Sequence, residues 1–201
     1  MARIRGVPEA DAGPVMKVLY RFMRRGMGKM VGSMPERGLE PIEMYAVLPK
    51  LLMSYGRLEQ ATAKLHHLDQ RTQALATLKA ATMTSCEYCI DIGSAISRTR
   101  GLTDEELLAL PDYRSAPCFS DADRAVLAYA AGMSRTPVDV PDELFAQLRA
   151  HFDEPQLVEL THLIALENLR GRFNLAFGIG AAGFSEGMVC ARPEPAEAQT
   201  R

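Results

Sequence analysis

Two thiols stand three residues apart in Cys86-Glu87-Tyr88-Cys89, and three residues is close to one turn of an α-helix. Both sulfurs then fall on one side of a helix, near enough to oxidise to a local disulfide. Ser85 precedes them and is a good N-cap, which places Cys86 in the first turn. There the unpaired backbone N–H groups and the positive helix end favour thiolate over thiol. A nucleophilic thiol with a resolving thiol one turn away is the minimum for thiol–disulfide or peroxide chemistry. The spacing leaves two other uses open, half of a metal site or a pair of inert buried cysteines.

The chain that must position this pair has 201 residues, enough for one domain with its own core. Its 47% apolar and 24% charged content is that of a soluble globular protein. A formal net charge of −2 supplies no cationic excess for phosphates and argues against nucleic acid as a partner. Four cysteines do not make a disulfide-stapled secreted scaffold. The first eight residues lack a signal-peptide apolar stretch, and no apolar run reaches membrane-spanning length. The expected setting is the reducing cytoplasm, with no membrane partner, where such a pair is catalytic or metal-binding rather than structural.

Hydrophobic spacing is helical nearly throughout, with no convincing alternating strand. Residues 15–30 carry Lys17, Arg21, Arg24, Arg25 and Lys29 at helical spacing, with Met16, Leu19, Met23, Met27 and Met30 largely on another side. That face suits a membrane surface or, preferably, packing through its methionines. Pro41 can open a stretch to about His66, kinked or split by Pro49. A helix from Leu68 or Asp69 ends near Thr84; the cysteine helix runs from Ser85 to about Thr99 and stops at Gly101. Thr103 and Glu106 read as a capping box for a short helix ended by Pro111. Ser120 caps a helix to about Met133, Asp142 leads one to Phe152, and Pro155 opens a long apolar segment to Phe177. The reading is an all-α single domain of about seven or eight helices: an N-terminal segment 1–40, a helical domain 41–190, and a polar tail 191–201 expected to be disordered. Residues 72–80 align with 157–165 at an offset of 85, which suggests a helical-hairpin repeat with cysteines in its first copy only.

Residues 68–93, ending Thr84-Ser85-Cys86-Glu87-Tyr88-Cys89-Ile90-Asp91-Ile92-Gly93, resemble the carboxymuconolactone decarboxylase family, which includes alkylhydroperoxidase D. Residues 101–107, 160–174 and 183–187 look like later segments of its longer members, so the resemblance covers about 41–190. It implies an all-helical fold that assembles as trimers or hexamers, with the cysteine pair near a subunit interface. The family's redox members add a Glu twelve residues before the first Cys and a His four after the second, which relay protons to the thiols. Here those positions hold Ala74 and Gly93, so only Cys86 and Cys89 carry over. The true lactone decarboxylases work without such a pair, which argues against that activity.

Other groups could stand in for the relay. Glu87 lies between the thiols and Asp91 two residues after Cys89, and a desolvated carboxylate can act as a general base. Tyr88 could donate to a peroxide oxygen, and Glu159 is the counterpart of Ala74 at the repeat offset. His66-His67 could complete a zinc site with the two thiols, though helix-end imidazoles are the plainer reading. Glu159 and His162 have the spacing of half a di-iron site without a second half. Glu167, Asn168, Arg170, Arg172 and Asn174 interrupt an apolar helix and need partners, from a subunit interface or beside the cysteines. Cys118, Cys190 and His151 read as bystanders. The expected function is a thiol-dependent peroxidase or disulfide reductase using Cys86 and Cys89. It needs no organic cofactor and takes an external dithiol as reductant and a hydroperoxide or other small molecule as substrate. The alternative is a non-catalytic oligomeric binding or redox-sensing protein that has lost the relay.

Overall fold

A computed structural model describes residues 2–195 and Gln199, and among them the chain forms nine α-helices, one 3₁₀ turn and no strand. α1 is Pro14–Val31, the 3₁₀ turn Glu36–Leu39, α2 Glu40–Tyr45, α3 Pro49–Thr62, α4 Gln70–Met83 and α5 Glu87–Thr99. α6 is Asp104–Ala109, α7 Asp121–Ser134, α8 Asp142–Arg149 and α9 Glu154–Phe177. The all-α single domain is as expected, with one helix more than the upper count. Pro49 splits the stretch after Pro41 instead of kinking it, because it sits in the first turn of α3, where its missing N–H is not needed.

Helix starts follow their caps. Asp69 accepts the Thr72 N–H, and Thr103 with Glu106, Ser120 with Asp123 and Asp153 with Gln156 form reciprocal capping boxes. Each such cap is worth about 1 kcal/mol.

α4 lies at the centre, packed against α5, α7 and α9. Eleven of its fourteen residues are buried, so it has no single apolar stripe. Its alanines let three helices approach closely. Ala74 and Ala81 join the cluster around the cysteines with Leu75, Leu78, Leu107 and Leu127. Ala76 and Ala80 meet Val126 and Tyr129 of α7 and Leu160 and Ile164 of α9. α1 lays Met16, Leu19, Tyr20, Met23 and Met27 on a third cluster with Leu39, Tyr45 and Leu52, so its apolar side packs on the domain. Among the described residues no helix is long and apolar enough to cross a membrane.

The offset repeat pairs α4 with the first part of α9, but no second hairpin follows. Where the first copy turns at Thr84–Cys86, the second has Leu169, Arg170 and Gly171, and α9 runs on to Phe177. Beyond α9, residues 178–195 return across α5 and α4 without a helix or strand. Ala191 N–H donates to Ser94 Oγ, and Glu194 is buried against Lys79. The stretch expected to be disordered therefore contains two buried residues, while 1, 196–198, 200 and 201 lie outside the described residues.

Candidate active site

α4 ends and α5 begins within three residues. Ser85 N–H donates to Thr82 O and Cys86 N–H to Ala81 O, the paired bonds of a Schellman turn, with Ser85 in the left-handed region at φ 53°. Ser85 is thus the closing residue of α4, and the N-cap of α5 is Cys86 itself. Its Sγ accepts the Cys89 N–H at 3.2 Å. The serine was expected to cap; it does not, because a connection this short has the preceding helix's turn to complete first. Ser85 Oγ instead accepts from Gln199 at 2.8 Å.

Cys86 and Cys89 are joined as a disulfide, Cα to Cα 5.2 Å, and are 0% and 4% exposed, so both sulfurs are buried. α9 crosses this turn at Gly171, where a Cβ would lie 2.7 Å from Thr84 Oγ1, 3.2 Å from Thr84 Cβ and 3.5 Å from Cys86 Cβ. One helical turn on, Asn174 is 3% exposed and directs its Nδ2 at both sulfurs, 3.7 Å from Cys86 Sγ and 3.5 Å from Cys89 Sγ. Gly171→Val should therefore push α9 off the cysteine turn. We expect a loss of about 2 kcal/mol by the overpacking rule, read as a lower urea midpoint with faster alkylation of the reduced thiols. Unchanged stability and alkylation would mean that the crossing tolerates a side chain.

The carboxylates named as relay substitutes have other work. Asp91 accepts from the N–H groups of Ala182, Gly183, Phe184 and Ser185 and from Ser185 Oγ, at 2.6 to 3.0 Å. Burial would raise its carboxyl, but the bonds from Ser185, Phe184 and Gly183 outweigh burial and hold it below the ordinary carboxylate range. Glu159 accepts from the His67 and Leu68 N–H groups and from Gln73 Nε2, fixing the link into α4. Tyr88 donates to Gly38 O at 2.7 Å and packs edge-on against Phe184; burial pushes its hydroxyl far above the usual tyrosine value. Glu87 is exposed in the first turn of α5, with its carboxylate beside Gly180. Of these four, only Glu87 keeps a free carboxylate next to the pair.

The relay positions are closed by packing. Ala74 is 1% exposed, and a Cβ on Gly93 would already lie 3.1 Å from Leu78 Cδ1, so an imidazole there would displace Leu78. The histidines are elsewhere: His66 and His67 stack on each other, and His162 Nε2 meets Thr62 Oγ1 at 2.8 Å. Among the described residues no three His, Cys, Asp or Glu form a metal-holding group. Polar groups of α9 find partners in the same chain: Arg170 with Glu59 and Glu167, Asn168 Nδ2 with Ser134 and Arg172 with Thr136, while Asn168 Oδ1 is buried without one among the described residues. Cys190 Sγ lies 3.4 Å from Ser94 Oγ, and burial with Glu105 nearby raises the Cys118 thiol. Asn174 is the site residue that spacing undervalued. Its signal is Gly171 one turn earlier on the same face, a gap that lets a neighbouring backbone come close.

The chain is 39% identical over 190 residues to the uncharacterized protein YnjA of Escherichia coli K12, covering 94% of this chain and 98% of that one. The debrominase Bmp8, solved in complex with 2,3,4-tribromopyrrole, shares the fold with a TM-score of 0.75 and 20% identity, covering 90% of this chain and 95% of that one. An alkylhydroperoxidase AhpD core, an uncharacterized peroxidase-related protein of Ralstonia eutropha JMP134, has a TM-score of 0.68 and 18% identity over 90% of this chain and 92% of that one. The carboxymuconolactone decarboxylase family model matches residues 49–132, the span that carries the cysteine turn, and the chain belongs to that family.

Proposed function

We propose that this protein is a peroxidase-like thiol oxidoreductase whose working group is the Cys86–Cys89 pair, reduced by an external dithiol. The observation that carries the reading is the capping of α5 by a cysteine sulfur that is also bonded to the second cysteine. A sulfur at that place accepts a backbone N–H and sits at the positive helix end, so its anion is favoured without a neighbouring base. In the cycle a thiolate attacks the distal oxygen of a hydroperoxide. The O–O bond breaks, the alkoxide leaves and takes a proton, and a sulfenic acid remains. The second thiol displaces water from it and closes the disulfide. An external dithiol then returns two electrons and two protons by exchange. Val47, Leu48, Leu51 and Met53 are large apolar side chains left exposed at and before the start of α3, surface that a second copy of the chain would cover in a homo-oligomer.

The test is the redox midpoint of metal-free protein together with hydroperoxide turnover in excess dithiol, for the wild type, Cys86→Ser and Cys89→Ser. A reversible two-electron midpoint and turnover reduced to background in both variants is the expected result. Thiols that stay reduced under peroxide, or turnover indifferent to both substitutions, would overturn the proposal and leave a non-catalytic oligomer. The fold shared with Bmp8 supplies the competing substrate class. Two thiols and a carbon–bromine bond balance to a disulfide, a carbon–hydrogen bond and HBr, so bromide release from a bromopyrrole without peroxide consumption would move the assignment there.

A further inference from the structure

We propose that the Asn174 amide is a catalytic hydrogen-bond donor that serves both sulfurs in turn and stands where the family's charged relay is missing. The inference rests on the redox reading above and deepens it.

The geometry gives one neutral donor two acceptors. Nδ2 lies 3.7 Å from Cys86 Sγ and 3.5 Å from Cys89 Sγ, within reach of a sulfur acceptor. The amide is buried and is held there by the close passage of Gly171 over Cys86, one turn earlier on α9. In the reduced protein it can donate to the Cys86 thiolate, adding to the Cys89 N–H already aimed at that sulfur. When an external thiolate attacks Cys86 in the disulfide, the S–S bond breaks and the electron pair leaves on Cys89. Asn174 can then donate to that leaving sulfur. A bridge between the two positions therefore raises the thiolate population for the first half of the cycle and stabilises the leaving sulfur in the second, without transferring a proton.

Except for Glu87, charged side chains on the surrounding elements have partners of their own. On α4, Lys79 pairs with Glu194; on α5, Asp91 is saturated by the 182–185 loop, and Glu87 lies at the exposed edge. On α9, Arg170 pairs with Glu59 and Glu167, and Arg172 with Thr136. α1 meets the cysteine cluster through Met27 and Val31. Among the described residues, the hydrogen bonds to the two sulfurs come from the Cys89 N–H and Asn174. A neutral donor favours the thiolate without adding a titrating group of its own, so Asn174 contributes no ionisation to the pH dependence of attack.

The experiment uses the full chain with Asn174→Leu, Asn174→Asp and Asn174→His. Thiolate absorbance near 240 nm is titrated in the Cys89→Ser background, with Cys86→Ser/Cys89→Ser subtracted to remove Cys118 and Cys190. The midpoint against a dithiol couple is measured in the otherwise native pair, at a pH above the thiol pKa. Asn174→Leu is expected to raise the Cys86 thiol pKa by about one unit and shift the thiol–disulfide equilibrium about tenfold toward the disulfide, a midpoint about 30 mV more negative. Asn174→Asp should exceed both effects through like charge, and Asn174→His, which keeps an N–H on a branch of similar reach, should recover much of each. Values for Leu and Asp equal to wild type would overturn the proposal, as would equal shifts in all three variants, the mark of a purely structural role. Neither readout needs a peroxide substrate. Absent turnover with shifted thiol values would sink the peroxidase reading and leave Asn174 in place.

Discussion

Asp91→Asn should be among the most damaging single substitutions in this chain, at about 3 kcal/mol, the scale for breaking a buried charged hydrogen-bond network. Four consecutive amides, Ala182 to Ser185, and one hydroxyl converge on a single carboxylate, which makes the loop an anion nest built around a side chain. An asparagine would turn an NH₂ toward some of those donors. The loop matters to the site because Phe184 packs on Tyr88, and Tyr88 holds Gly38. The pH dependence follows from the sign of the shift. The folded carboxyl lies below its unfolded value, so its stabilisation is complete above the unfolded pKa, about 3.9, and is lost as pH falls through the folded one. Glu106 and Asp123, both bonded to Arg71, are also held low against burial and act in the same direction. Urea midpoints between pH 7 and pH 3 should fall steeply for the wild type and less steeply for the already weaker variant. Parallel curves would mean that Asp91 does not carry the linkage. Amide exchange should lose protection at 182–185 first.

What could be read without coordinates divides by distance along the chain. Helix starts are legible because caps are local: Asp69, Thr103 and Ser120 each bond three residues on. The cysteine pair was legible for the same reason. Ser85 was misread because two local rules compete for one residue, and closing α4 prevails over opening α5. Asp91 and Glu159 look like free carboxylates in the sequence because their donors lie 86 or more residues away. Asn174 depends on where α9 crosses the α4–α5 turn, which no periodicity reports. The tail was judged by composition, yet Lys79 held a clue: a lysine in a helix of alanine, leucine and threonine, with no acidic residue three or four positions away, must find its carboxylate elsewhere.

That carboxylate is Glu194, and the pair should respond unequally to losing either member. Lys79 is 0% exposed, its Nζ 2.5 Å from Glu194 Oε1, 2.9 Å from Leu110 O and 4.5 Å above the Tyr113 ring. Burial pulls the ammonium down from its ordinary value, against the Glu194 carboxylate, which raises it. Lys79 is fixed in the middle of the central helix and cannot reach water. Glu194 lies on the final segment, joined to α4 by its own N–H to Thr82 O, and can swing out if that segment lifts. Glu194→Leu therefore strands a cation in the core and should cost about 3–5 kcal/mol, whereas Lys79→Met releases the carboxylate to solvent and should cost about 1–2 kcal/mol. The double variant Lys79→Met/Glu194→Leu should recover most of the loss, since neither charge is then left buried. Urea unfolding of the four proteins decides it. Equal costs for the two single changes would show that the segment cannot lift, and additive costs in the double variant would show that the pair is not coupled.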